Sequence, residues 1–151
     1  MRITLAAVGR WKRGPARALY EEYAARLTWK LDLKEVEERR PLPAAHLKAR
    51  EGELLLAALP AESMVVALDS GGRGLSSEAF AERLGQWQDT GLRDVAFVIG
   101  GAEGLCDDLL RRADMRLSLG PMTWPHMLVR AMLAEQIYRA QSILSGHPYH
   151  R

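Results

Sequence analysis

The sequence predicts an α/β fold built on a mainly parallel sheet. Short apolar runs alternate with longer segments of helical pattern, and glycine-rich or proline-bounded loops follow three of those runs. No repeat, low-complexity tract or Gly/Ser linker divides the 151 residues, so they read as one domain over 1–151.

Ile3 to Val8 is an apolar run closed by Gly9, the pattern of a buried strand. A helix starts near Pro15, a residue suited to the first helical position, and Leu19, Tyr23 and Leu27 recur in it at a spacing of four. Leu31 to Glu37 alternates apolar and charged residues imperfectly, as an edge strand does. Pro41 and Pro43 break the chain, and Leu47 to Leu59 predicts a second helix stopped by Pro60. Met64 to Asp69 is the clearest strand, closed by the glycine-rich Ser70–Gly74. Ser76 or Ser77 caps a third helix with Glu78 or Glu82 in its first turns. Asp94 to Ile99 predicts a strand leading into Gly100–Gly104, Cys106 to Arg112 a short helix, and Met115 to Leu119 a last strand. The final helix runs from about Pro125 to Leu144 and ends at Gly146.

Composition narrows the function. With 21 Lys and Arg against 19 Asp and Glu, the formal charge is +2, which argues against holding nucleic acid by bulk charge alone. Cys106 is the single cysteine, which excludes an internal disulfide and a four-thiolate zinc site and suits a reducing, cytoplasmic setting. The N-terminal apolar run is too short for a secretory leader, and no stretch approaches the ~18 apolar residues of a membrane helix.

In open parallel sheets, ligands bind beyond the carboxyl ends of the strands, which directs attention to the loops after Leu68, Ile99 and Leu119. Gly100-Gly101-Ala102-Glu103-Gly104 lacks the phosphate-loop fingerprint and carries a carboxylate; it reads equally as a tight turn or as a cofactor-contacting turn. Ser70–Gly74 reads as a flexible surface loop. Between Pro121 and Pro125, Met122 and Trp124 offer apolar area to a purine or thioether, although composition alone favours a helix entry with Trp124 packed in the core.

Taken in order, several segments match one family. They are Val65-Val66-Ala67-Leu68-Asp69, Phe97 to Leu105, Met122-Thr123-Trp124-Pro125-His126 with Leu128-Val129-Arg130, Glu135-Gln136-Ile137-Tyr138-Arg139-Ala140, and the tail His147-Pro148-Tyr149-His150. The chain resembles, nearly end to end, the ribosomal RNA large subunit methyltransferase H family, the pseudouridine N3-methyltransferases of the SPOUT superfamily. That resemblance implies a SPOUT-type fold with a trefoil knot in the C-terminal half, and a homodimer that binds S-adenosylmethionine in the knot. It implies methylation of N3 of a pseudouridine in large-subunit (23S) rRNA on the assembled ribosome. The cofactor contacts it implies are Leu68, Gly100, Leu119, Gly120, Pro121, Met122, Thr123 and Trp124. Ala102 stands where the family usually has Pro or Ser.

Methyl transfer to an imide nitrogen requires loss of its proton, so a base or an anion-stabilising cation is needed. No metal is required, and His46, His126, His147 and His150 show no metal-ligand pattern. Within the resemblance the catalytic candidates are His150, Tyr149 and Arg139. Arg151 is a further cation; the tail reads alternatively as merely solvated. His126 reads as a capping or core histidine, and Arg130 and Arg139 read alternatively as ion-pair partners of Glu135 or of aspartates. Arg10, Lys12, Arg13 and Arg17 with Trp11 form a basic group suited to phosphate contact and base stacking, or else a solvated helix entry. The last helix is apolar at Met127, Leu128, Met132, Leu133, Ile137, Ala140 and Leu144. That stripe is wide enough to face a second subunit as well as the core.

Overall fold

A computed structural model describes residues 1–151. The elements are β1 (Arg2–Val8), α1 (Pro15–Arg26), β2 (Lys30–Val36), α2 (Ala44–Ala58), β3 (Met64–Gly74), α3 (Ser77–Asp89), β4 (Asp94–Ile99), α4 (Asp107–Arg112), β5 (Met115–Ser118) and α5 (His126–Ser145). All five strands pair in parallel, in the order β2-β1-β4-β3-β5. The α/β parallel sheet and the edge position of β2 are as the apolar pattern predicts. No helix is long and apolar enough to cross a membrane.

Side-chain alternation divides the core into two layers. Ile3, Leu5, Ala7, Val66, Phe97 and Leu117 face α1, α3 and α5. Ala6, Val8, Val65, Ala67 and Val98 face α2 and α4, where Leu55 and Leu109 meet them. Strands covered on both faces carry continuous apolar runs, as β1, β3 and β4 do. Ser76 caps α3, its side chain accepting the Ala79 N–H, and Gly146 ends α5 in the left-handed conformation.

Three expectations need correction. Ser70–Gly74 is not a flexible loop: the chain bulges after Leu68 and rejoins β5 at Arg73 and Gly74, opposite Leu117 and Ser118. Gly72 lies so close to the Arg116 carbonyl that a Cβ there would sit 2.8 Å from the carbonyl carbon; the glycine serves close approach. In α1 the buried residue is Tyr20, while Leu19 is 40% exposed and Leu27 falls beyond the helix end. Trp124 is not packed in the core; it is 39% exposed.

α5 starts far from the strand that precedes it. Residues 119–125 leave the edge strand β5, and His126 comes to lie near Gly9 at the end of β1. Arg130 secures that start. Its Nη2 donates to the carbonyls of Val8 and Gly9 at 3.1 and 2.7 Å, its Nη1 donates to Glu35 at 2.8 Å, and its guanidinium lies 4.6 Å from the Trp11 ring centre.

Candidate functional site

The carboxyl ends of β3, β4 and β5 open into a cleft of about 580 Å³. Its walls are Leu68 with Asp69 and Ser70, the turn from Ile99 to Gly104, and the segment Leu117 to His126. Of the eight residues that the resemblance assigns to a cofactor, seven line this one cleft: Leu68, Gly100, Leu119, Gly120, Met122, Thr123 and Trp124. Pro121 is exposed and does not line it.

Local chemistry shapes each wall. The Gly104 N–H bonds to the Gly101 carbonyl at 3.0 Å, and Gly104 adopts a left-handed φ of 77°. A Cβ on Gly100 would stand 2.8 Å from the backbone carbon and oxygen of Gly104, so only glycine closes this turn without displacement. The turn is therefore tight, and it also lines the cleft, so the tight-turn reading of Gly100–Gly104 does not exclude the other. Beneath it lies Glu51 of α2, buried near Gly101; burial, and then the Glu103 carboxylate, raise its carboxyl above the usual range. Gly120 is left-handed at φ 106°, and its N–H donates to the Ser118 hydroxyl at 3.1 Å. The Trp124 indole N–H donates to the Leu119 carbonyl at 3.4 Å, which leaves its ring at the cleft wall beside the exposed Met122. A glycine-lined backbone on one side and an aromatic with a thioether on the other fit a flat heterocycle attached to a sulfur-bearing chain. His126 faces the same cleft; burial, and then Arg130, lower its pKa, so it enters neutral.

A second groove of about 580 Å³ adjoins the first and shares Leu117, Leu119 and Gly120 with it. It is bounded by Leu19 and Tyr23 of α1, by Leu75 to Ser77 with Phe80 of α3, and by Met132 and Glu135 of α5. The tail docks beside this groove. Glu135 accepts from Arg139 Nε at 3.0 Å and Nη2 at 2.5 Å, and from the Tyr149 hydroxyl at 3.0 Å. The Tyr149 hydroxyl also lies 3.2 Å from that of Tyr23. Arg139 Nη1 lies 3.0 Å from His150 Nδ1, and His150 Nε2 lies 2.8 Å from Glu78.

The predicted catalytic trio is therefore one connected cluster, and the tail is anchored at both Tyr149 and His150. Burial, followed by the bonds to Tyr23 and Glu135, raises the Tyr149 phenol above its ordinary value, so it stays protonated as a donor. The bond to Glu135 raises Arg139 further. Glu78 is held below the usual carboxylate range, first by its own backbone amide at the start of α3 and then by His150. Arg139 does pair with Glu135, as its alternative reading had it, and its remaining Nη1 reaches His150. Arg130 pairs instead with Glu35. The sequence places Glu78 and Tyr23 on their helices but not in this cluster, because their partners lie 72 and 126 residues away. The Glu135/Arg139 spacing of four on one helix was the available signal for that pair.

The basic group near the N-terminus is narrower than its sequence suggests. Trp11 is no open stacking platform, since its ring packs against Tyr20 and lies under the Arg130 guanidinium. Arg10 pairs with Glu37 and Arg17 with Glu21, which leaves Lys12 and Arg13 exposed and outside any ion pair.

Comparison with known proteins adds independent findings. The family model described as "Predicted SPOUT methyltransferase" matches residues 1–150. A protein of Rhodospirillum centenum named ribosomal RNA large subunit methyltransferase H is 63% identical over 151 residues, covering 100% of this chain and 99% of that protein. One of the same name from Paramagnetospirillum magneticum is 60% identical over the same length, covering 100% and 99%. Among solved structures, a probable methylase family protein from Haemophilus influenzae superimposes with a TM-score of 0.61 at 12% identity, covering 99% of this chain and 70% of that one. A methyltransferase structure from Legionella pneumophila, solved with SAM bound, aligns with a TM-score of 0.50 at 13% identity, covering 93% and 66%.

Proposed function

The chain belongs to the SPOUT methyltransferase family, and from that premise we propose that it transfers a methyl group from S-adenosylmethionine to N3 of a pseudouridine in large-subunit (23S) rRNA, on the assembled ribosome. The observation that carries this reading is the convergence of Leu68, Gly100, Leu119, Gly120, Met122, Thr123 and Trp124 on one cleft at the carboxyl ends of the strands. The relatives named as rRNA methyltransferases match the chain over its whole length, which supports the substrate class.

In this reading the backbone of Gly100 and of residues 119–123 reads the polar edge of the cofactor, and Trp124 with Met122 covers its apolar parts. When bound, S-adenosylmethionine supplies an electrophilic methyl group on a cationic sulfur. The residues of the chain hold the acceptor base in line and manage its proton. His150, Tyr149 and Arg139 carry that task, the imidazole as proton acceptor and the guanidinium as partner of the developing imidate. The crossing of residues 119–125 from β5 to the end of β1, fastened by Arg130, supports a trefoil knot around this segment.

Two copies of the chain form the working unit. The exposed Leu19 and the half-buried Met132 border an open groove along α1 and α5, and Leu144 is exposed at the end of α5. A net charge of +2 gives one copy little hold on bare RNA, so an assembled ribosomal surface supplies the remaining recognition. The work is cytoplasmic, where ribosomes and a free cysteine coexist.

The test is methyl transfer to intact large subunits and to free rRNA, with the product nucleotide mapped by mass spectrometry. N3-methylpseudouridine on intact subunits, with little on free rRNA, is the expected result; a different modified nucleotide, or equal transfer to free rRNA, overturns the reading.

A further inference from the structure

The cluster at the tail leaves one group whose role in the chemistry is unassigned. Glu78, in the first turn of α3, contacts His150 Nε2 at 2.8 Å, and on the other side of the ring Arg139 Nη1 lies 3.0 Å from Nδ1. A guanidinium has only donors. Nδ1 must then accept, and the single proton of the neutral ring sits on Nε2, where the Glu78 carboxylate accepts it. The two contacts together specify one tautomer.

That tautomer suits the proposed substrate. An imide presents a donating N3–H next to an accepting carbonyl oxygen. Nδ1 accepts and Nη1 donates, side by side, which is the complement of that edge. Arg139 keeps Nε and Nη2 on Glu135, so only Nη1 is free to turn from the ring to a carbonyl oxygen. The imide N–H then takes the place of the guanidinium N–H at Nδ1.

We infer that Glu78 is a positioning residue for the methyl transfer: it holds His150 in the Nε2–H tautomer, which turns the basic Nδ1 toward the acceptor nitrogen. This inference rests on the reading of His150 as the proton acceptor. In the step it supports, the N3–H bond breaks, the electron pair stays on N3, and the proton passes to Nδ1. The imidazolium so formed shares its Nε2–H with Glu78 and returns the extra proton to water after the product leaves. The same logic orients a histidine by a carboxylate in hydrolases. The other charged or titratable groups of this cluster are Arg139 and Glu135 of α5, Tyr149 of the tail and Tyr23 of α1. Among these, only Arg139 has a contact with a ring nitrogen.

The experiment uses the full-length protein labelled with ¹⁵N-histidine, with the His150 signals assigned from His150→Ala. Long-range ¹H–¹⁵N spectra of the protein without ligands report the tautomer directly. Wild type and Glu78→Gln, whose amide oxygen still accepts a hydrogen bond, are expected to show the Nε2–H form, and Glu78→Ala a mixture of both. On large ribosomal subunits, Glu78→Ala is expected to lower kcat about 10- to 100-fold, a part of what a positioned base contributes. KM for S-adenosylmethionine is expected to stay within about twofold, and Glu78→Gln to recover most of the loss. An unchanged tautomer in Glu78→Ala, or a kcat within about twofold of wild type, overturns the role of Glu78. The His150→Ala control separates the two failures. If it loses activity while Glu78→Ala does not, only the positioning role falls; if it keeps wild-type turnover, the reading of His150 as base falls and takes the inference with it.

Discussion

Replacing Arg130 by methionine tests how the cleft is held in place. Arg130 has no exposed side-chain surface, and its Nε has no hydrogen-bond partner. Its other two nitrogens donate to Glu35 and to the carbonyls of Val8 and Gly9. Removing one partner of a buried ion pair costs about 3–5 kcal/mol, because the other charge is left uncompensated. Methionine fills much of the space, and it removes the unpartnered Nε, which recovers about 1–3 kcal/mol of desolvation. The net loss should therefore centre on about 2 kcal/mol. With a urea slope of about 2 kcal/mol per M for a chain of this size, the midpoint should fall by about 1 M. Glu35→Gln keeps an acceptor for both Nη1 and the Trp11 N–H and should cost less. Urea melts followed by far-UV circular dichroism read both variants. A shift below about 0.3 M for Arg130→Met would refute the claim that this arginine fastens α5 to the end of β1.

Gly100→Ala should leave the fold intact and weaken cofactor binding by at least about tenfold in calorimetry, because the new Cβ would press 2.8 Å from the Gly104 backbone and shift the cleft wall. Glu51→Gln should raise stability at pH 8 and change it little near pH 4. A carboxyl raised in the folded state binds its proton more tightly there than in the unfolded chain, so stability falls as pH rises from the unfolded value through the folded one. Urea midpoints at the two pH values measure this, and an equal shift at both would contradict it. If two copies pair through this groove, as proposed, wild type should sediment as a dimer and Leu19→Arg as a folded monomer in sedimentation velocity. Deleting Tyr149 to Arg151 should abolish methyl transfer and keep the heat of cofactor binding, since none of these residues lines the cofactor cleft. Loss of both would place the tail in cofactor binding instead.

The central strands were legible because burial on both faces demands uninterrupted apolar runs, and β1, β3 and β4 have them. The walls of the cleft were legible because parallel sheets place their loops at one end, and the unusual loops follow β3, β4 and β5. What escaped reading follows from distance along the chain. Ser70–Gly74 has a loop's composition but pairs with β5, which lies over 40 residues on; no local pattern shows that Gly72 must let Arg116 come close. Trp11 sits among cations in sequence, yet the cation that covers its ring is Arg130, from the opposite end of the chain. The spacing in α1 pointed to Leu19 as a core residue, whereas the fold buries Tyr20.

In the proposed reading, the placement of the two grooves divides binding from chemistry along the chain. The cleft at the carboxyl ends of β3, β4 and β5 is built from loops tied at both ends to strands or to α5, and its shape is set by backbone constraints at Gly100, Gly104 and Gly120. A wall constrained by its backbone has little to reorganise, and a preorganised site loses less affinity to ordering. The cluster around Glu135, Arg139 and His150 is built from side chains on α1, α3, α5 and the tail, joined by hydrogen bonds and ion pairs. The contact between His150 and the exposed Glu78 is the kind that costs little to exchange, because exposed polar pairs contribute little to stability. If the chain acts on a nucleotide held by a ribosome, as proposed, that arrangement suits it: the donor side would stay formed, and the acceptor side would open by trading one hydrogen bond at Nδ1 for another.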